Sequence, residues 1–160
     1  MIFSVNMRRT RAGRWFMLLL MTAMLIVLPS GCGERANMLR DGYYTAEATE
    51  FDEHGWKEYI AIYVSGGKIV TADYNAKNAS GFIKSWDMEY MRTMDAVCGT
   101  YPNEYTRLYA EDLMGKQEAA SVDAITGATH SYHTFKQLAH AVIEQARLGD
   151  KSVCFVALEH

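Results

Sequence analysis

The chain has little cysteine and little proline, three and two residues respectively among 160. Its cysteines, Cys32, Cys98 and Cys154, form no Cys-x-x-Cys pair, which removes a thioredoxin-like dithiol site from consideration. With 49% hydrophobic and 22% charged residues, the composition is that of a globular protein and not of a disordered tail. No Gly-x-Ser-x-Gly elbow and no Walker-type loop occurs, so neither of those chemistries has its motif. Internal repeats and low-complexity segments are also lacking. Before Glu34 there is no acidic residue at all.

That last absence divides the chain. Arg8, Arg9, Arg11 and Arg14 precede the uncharged run from Trp15 to Val27, an arrangement that matches the n-region and h-region of a secretory signal. A membrane-spanning helix needs about 20 apolar residues, so a cleaved or lipid-modified signal is favoured over a permanent anchor. The run closes on Leu28-Pro29-Ser30-Gly31-Cys32, which resembles a bacterial lipobox. Small residues at Ser30 and Gly31 suit a signal peptidase, and the Cys32 thiol would carry the diacylglycerol. Pro29 departs from the pattern, which usually has leucine there. Arg8-Arg9 lacks the apolar continuation of a twin-arginine signal. Two acyl chains on one cysteine hold a protein stably at a membrane, so an outward-facing lipoprotein of the cell membrane is expected. Beyond Cys32 stand 12 basic and 19 acidic residues, a net charge of −7. Such a balance excludes nucleic acid as the main partner and an anionic lipid surface as a purely electrostatic anchor. Residues 1–31 are read as signal, 32–40 as lipid-anchored tether, 41–150 as the domain and 151–160 as a C-terminal tail. In an exported domain Cys98 and Cys154 could pair, or each could be a small buried hydrophobe.

The domain is expected to be α+β, a small antiparallel sheet with a central hairpin packed against a C-terminal helix and one or two further helices. Asp41 to Ala48 has a turn followed by β-favouring aromatics, and Asp52-Glu53-His54-Gly55 offers another turn. From Trp56 to Val64, Ile60, Ile62 and Val64 alternate with Tyr59, Ala61 and Tyr63, which puts the aliphatics on one face. Ser65-Gly66-Gly67-Lys68 is a hairpin signal, because two glycines accept the positive φ of a primed turn. Lys68 to Tyr74 is the return strand. After the polar loop 75–81, Ser85 is placed to cap a helix carrying Trp86, Met91, Met94 and Val97 and ending at Cys98-Gly99. A second helix is expected over Asn103 to Met114, with Tyr105, Leu108 and Tyr109 on one face. Phe135, Leu138, Ala139, Val142, Ile143 and Ala146 mark a third over Tyr132 to Leu148, stopped by Gly149.

Just before that helix stands Val122-Asp123-Ala124-Ile125-Thr126-Gly127-Ala128-Thr129-His130-Ser131. Gly127 and Ala128 allow another group to approach the backbone, and Thr126, Thr129 and Ser131 bring hydroxyls to a helix start, where free N–H groups favour an anion. On chemistry alone the segment is either a phosphate-sized anion site or a well-capped helix.

The pattern of Asp123, two variable residues, Thr126 and then Gly127-Ala128-Thr129 resembles the flavinylation motif of the FMN-binding domain family, found in subunits of sodium-translocating NADH:quinone oxidoreductase and related complexes. Asp41 to Tyr44, Trp56 to Tyr74, Gly81 to Met94 and Val122 to Leu138 are similar to single-domain extracellular flavin lipoproteins of Gram-positive bacteria. The resemblance implies that 41–150 is an FMN-binding domain and that a flavin transferase, using FAD and a divalent metal, joins FMN by a phosphoester to Thr129. It further implies that Asp123, Ala124, Thr126, Gly127, Ala128 and Ser131 form the recognition and cofactor-binding set. The implied function is electron transfer, with a membrane electron donor such as a quinol oxidoreductase and acceptors outside the cell. A redox carrier then fits better than a substrate-specific reductase, and no catalytic residue is assigned. Trp86, Met88, Tyr90, Tyr101 and Tyr105 are the candidates for packing the flavin. A noncovalent FMN or small-anion module and a cofactor-free surface interaction domain remain as alternatives. His130 and His133 could share one face toward a metal, but a third ligand is missing and no metal site is assigned. His54 and His140 read as surface residues.

Overall fold

The computed structural model describes residues 38–159. The signal segment, Cys32 and most of the tether lie outside the described residues. Four strands and three helices follow one another as β1 (Gly42–Ala48), β2 (Lys57–Ser65), β3 (Lys68–Lys77), α1 (Met88–Cys98), α2 (Pro102–Lys116), α3 (Thr129–Leu148) and β4 (Val153–Val156). The sheet order is β3-β2-β1-β4, with β1, β2 and β3 antiparallel and β4 parallel to β1. The α+β architecture is thus as the patterning implies.

Alternation sets the buried face. Tyr44, Ala46 and Ala48 of β1 and Ile60, Ile62 and Val64 of β2 point into the core. In β3 the buried residues are Ile69 and then Tyr74 and Ala76, a change of parity that period-two counting alone would not give. A bulge between Tyr63 and Val64 pairs Val64 with Ile69 but Tyr63 with Thr71, so one extra residue re-aims the strand. The β2–β3 turn has Gly66 and Gly67 at φ of 61° and 74°, the left-handed pair that a two-residue primed turn requires.

α3 packs on β1 and β2, and α2 packs on β3. Phe135, Leu138, Ala139 and Val142 of α3 and Tyr105, Tyr109 and Leu113 of α2 close one continuous core with the sheet. α1 differs, because none of its residues is buried. Its N-cap is Asp87, whose Oδ1 accepts the Tyr90 N–H at 3.0 Å. Ser85 is instead buried in a 3₁₀ turn over Lys84–Trp86 and accepts a hydrogen bond from Asn75 Nδ2 at 2.8 Å. The hydroxyl expected to cap the helix is therefore taken by the preceding strand, and a carboxylate two residues later caps α1.

The segment read as a C-terminal tail contributes the edge strand β4, which pairs Thr45 to Ala48 with Val153 to Val156. Cys98 and Cys154 are both free thiols, one exposed at the end of α1 and one half-buried in β4, so neither the disulfide nor the fully buried pair is what the fold contains.

Candidate functional site

The Asp123–Ser131 segment links a 3₁₀ turn over Ala119–Ser121 to α3. Its first residue is fixed from α2. Asp112 Oδ2 accepts the Asp123 N–H at 3.0 Å, and Lys116 Nζ sits 2.9 Å from Asp112 and 2.6 Å from Asp123. The Asp123 carboxylate itself is 89% exposed, open to anything that reads the segment from outside.

The middle of the motif is held by a buried hydroxyl. Tyr109, fully enclosed in the core, accepts the Ile125 N–H at 3.3 Å and donates to the Ala128 carbonyl at 3.2 Å. The Ala128 N–H donates to the Ile125 carbonyl at 3.0 Å, which closes the turn. Gly127 occupies φ +84°, and a Cβ built there would lie 2.3 Å from the Cys98 carbonyl oxygen. Only glycine satisfies both the dihedral and the approach. The motif's glycine is thus where the loop meets the C-terminal end of α1.

α3 starts on Thr129, three residues earlier than the apolar period implies, with Ala128 at the N-cap. Alanine has no side-chain oxygen, no side chain caps the helix, and no carboxylate stands in its first turn. The well-capped-helix reading of these hydroxyls is therefore not what the fold contains. Thr126 and Thr129 are exposed, and no hydrogen bond to another described residue engages either hydroxyl. Ser131 is buried and turns inward.

Gly127, Ala128, His130 and Ser131 form one wall of a cleft of about 680 Å³, a volume in the range of sites for drug-sized ligands. Tyr90 and Met94 of α1, Tyr105 of α2, Lys84, and Phe51 to His54 of the β1–β2 connection complete it. Two of the five aromatic and methionine candidates, Tyr90 and Tyr105, are brought to the site. Trp86 and Met88 are 66% and 58% exposed on the outer side, and Tyr101 does not reach the cleft. Their sequence neighbourhood is right, but the helical phase of α1 turns Tyr90 and Met94 inward instead. His54 is at the surface, as its reading has it, and also lines the cleft. His133 packs edge-on to Tyr132, with centroids 5.7 Å apart. Among the described residues no three His, Cys, Asp or Glu side chains converge on a common point.

Two ionisable residues that the sequence did not mark lie here. Lys84 is 5% exposed, with its ammonium over the rings of Trp56 and Tyr90, 5.9 and 5.2 Å from the centroids. Burial lowers its pKa, against the opposing charges of Glu58 and Asp52. Glu58, buried in β2, is pushed up to about 7 by desolvation, against the hydrogen bond from Tyr74 and the charge of Lys84. Tyr74 lies 2.5 Å from Glu58 Oε2 and 3.0 Å from the Ser131 carbonyl. It has one proton for two acceptors. When Glu58 is ionised Tyr74 donates to it, and when Glu58 is protonated it donates to Tyr74, which is then released to the Ser131 carbonyl. Neither residue could have been found by spacing, since both owe their character to burial by distant elements.

No family model matches the chain. It is 36% identical over 127 residues to the 15 kDa lipoprotein of Treponema pallidum (strain Nichols), covering 79% of this chain and 89% of that protein. The chain belongs to the family of that lipoprotein. Among solved structures, the crystal structure of the CPE2226 protein from Clostridium perfringens is 41% identical and superposes with a TM-score of 0.74 over 76% of this chain and all of the other. A solution structure from Clostridium thermocellum is 27% identical with a TM-score of 0.47. Among the described residues no helix is long and apolar enough to cross a membrane.

Proposed function

We propose that the protein is an exported, lipid-anchored flavoprotein that carries FMN on Thr129 through a phosphoester and acts as an electron carrier on the outer side of the cell membrane. The observation that carries the reading is the conjunction at Thr129. An exposed, unengaged hydroxyl stands on the first residue of an uncapped helix, beside an aromatic-walled cleft. Uncapped first-turn N–H groups and the positive end of the helix dipole suit a phosphate. The attachment would balance as a transfer from FAD, in which the Thr129 hydroxyl loses its proton, the phosphoanhydride breaks, FMN is joined to the oxygen and AMP leaves. Asp123, exposed at the far end of the motif, is suited to recognition by the transferase.

The residues present fit the cofactor. Tyr90, Tyr105 and Met94 offer faces for a planar ring, Gly127 and Ala128 leave room beside the phosphate, and Lys84 is the cationic group within the cleft. Bound FMN would supply reversible one- and two-electron transfer, while the protein holds and orients it. A covalent link prevents a small cofactor from diffusing away outside the cell, where a noncovalent site could retain it only by high affinity. The lipobox-like Leu28 to Cys32 and the similarity to a Treponema lipoprotein support anchoring at Cys32. The quinol-linked donor and the external acceptors follow from the family resemblance.

Peptide mapping tests the assignment. Trypsin should release residues 117–136 as one flavin-bearing peptide after coexpression with a flavin transferase, and fragmentation should place the added mass on Thr129. Flavin on Thr126, or flavin lost on denaturation, would contradict the reading, and the second result would favour a noncovalent site.

A further inference from the structure

Lys84 is an expensive residue where it stands. Lys84 is 5% exposed as a residue, and no hydrogen bond or ion pair to another described residue engages its ammonium, although charges held in a protein interior are normally paired. Its surroundings are the faces of Trp56 and Tyr90 and the open volume of the cleft. Glu58 and Asp52 act on it only at a distance. Asp52 is already committed, because its Oδ1 accepts the N–H groups of His54 and Trp56 at 2.9 and 2.7 Å. The position is also built, not incidental. Residues 84–86 form a 3₁₀ turn, Ser85 next to it is held by Asn75 of β3, and the two rings come from the start of β2 and from α1. A cation fixed this way between aromatic rings, with unused donors facing a cleft, is suited to an acceptor that arrives with the ligand.

We propose that Lys84 is the cleft's ligand-charge residue, the group that meets the negative charge a bound flavin ring acquires on reduction. This rests on the flavin reading above and adds a tuning residue to it. Two electrons from a reductant and one proton from solvent convert the neutral oxidised ring into a reduced ring with one negative charge. A fixed positive charge in a low-dielectric cleft favours that reduced form over the oxidised one. Glu58 works against it when ionised, so the two residues should move the potential in opposite directions.

The test is the midpoint potential of flavin-loaded domain, titrated with dithionite at pH 8 for wild type, Lys84→Met, Lys84→Arg and Glu58→Gln. Met keeps the length and apolar stem of the lysine, and Gln still accepts from Tyr74, so both sites stay filled. Lys84→Met should lower the potential by a tenfold or greater loss of relative stabilisation of the reduced form, which is about 30 mV for a two-electron couple. Lys84→Arg should restore most of the loss, and Glu58→Gln should raise the potential. The absorbance of reduced Lys84→Met should show its negative charge lost at a higher pH than in wild type, a change that looser packing alone would not produce. If Lys84→Met fails to fold, Lys84→Gln, neutral and polar, takes its place in the comparison. Equal potentials in wild type and the neutral Lys84 variant overturn the role of Lys84 while leaving the flavin reading intact. A wild-type domain that takes up no flavin overturns both.

Discussion

Three residues carry most of the local argument, and each makes a different demand. Gly127 must adopt φ +84° within contact of the Cys98 carbonyl. Gly127→Ala would meet backbone strain and a collision that no rotamer relieves, so we expect a loss of about 2 kcal/mol or more in urea unfolding and poorer flavin loading. A variant as stable as wild type would mean that the loop and α1 separate freely. Tyr109 looks in the sequence like one aromatic of a core stripe, and only the fold reveals that its hydroxyl ties Ile125 to Ala128. Glu58 has a folded-state pKa of about 7 against an ordinary 4.5. Between those values the folded protein holds more protons than the unfolded chain, so the contribution of Glu58 to stability is full below about pH 4.5 and is lost as pH rises through 7. Comparing wild type with Glu58→Gln cancels the titration of the groups that do not interact with Glu58. The advantage of wild type over the variant should shrink by about 3 kcal/mol from pH 4.5 to 8. A pH-independent difference in melting would place the true pKa of Glu58 in the ordinary range.

Among the elements, α1 is the weakest. None of its eleven residues is buried, and its attachments include the Asp87 cap, the approach of Gly127 to Cys98, the half-buried Met94 against the core and the packing of Tyr90 against Trp56, with centroids 6.3 Å apart. Helices hold in proteins by burying an apolar face, and regions with few buried contacts open first. Backbone amides of α1 should therefore exchange with deuterium well before those of α3 in the flavin-free domain, and should slow when the cleft is filled. Protection of α1 equal to that of α3 would contradict this. The same elements separate what a sequence displays from what it conceals. The Ile60-Ile62-Val64 alternation, the two-glycine hairpin and the apolar stripe of α3 are legible because each is a local pattern read against one buried face. β4 is not, since a four-residue strand whose outer side chains are exposed acquires its identity only by pairing with β1, more than a hundred residues earlier. The extra residue in β3 and the choice of Asp87 over Ser85 as cap are concealed for the same reason, as each is decided by a neighbouring strand. Lys84 carries no mark in the sequence and acquires its character only where Trp56 and Tyr90 close over it.

At the scale of the whole molecule, the described fold is a four-stranded sheet backed by two packed helices, with a cleft between the loosely held α1 and the start of α3. The Asp123 to Thr129 motif was legible because it is short and contiguous, and the fold adds the cleft beside it. Export, anchoring at Cys32 and electron transfer form one account only if a cofactor is fixed to the domain. The measurement that bears most directly on this is the intact mass of the domain after coexpression with a flavin transferase, for wild type and Thr129→Val. Valine replaces the hydroxyl with a methyl of similar size at an exposed position, so the variant should remain folded. Wild type is expected to exceed its sequence mass by one FMN less one water, and Thr129→Val to show its sequence mass alone. A wild-type domain at its bare sequence mass, or a Thr129→Val domain that still carries the flavin, would contradict the account.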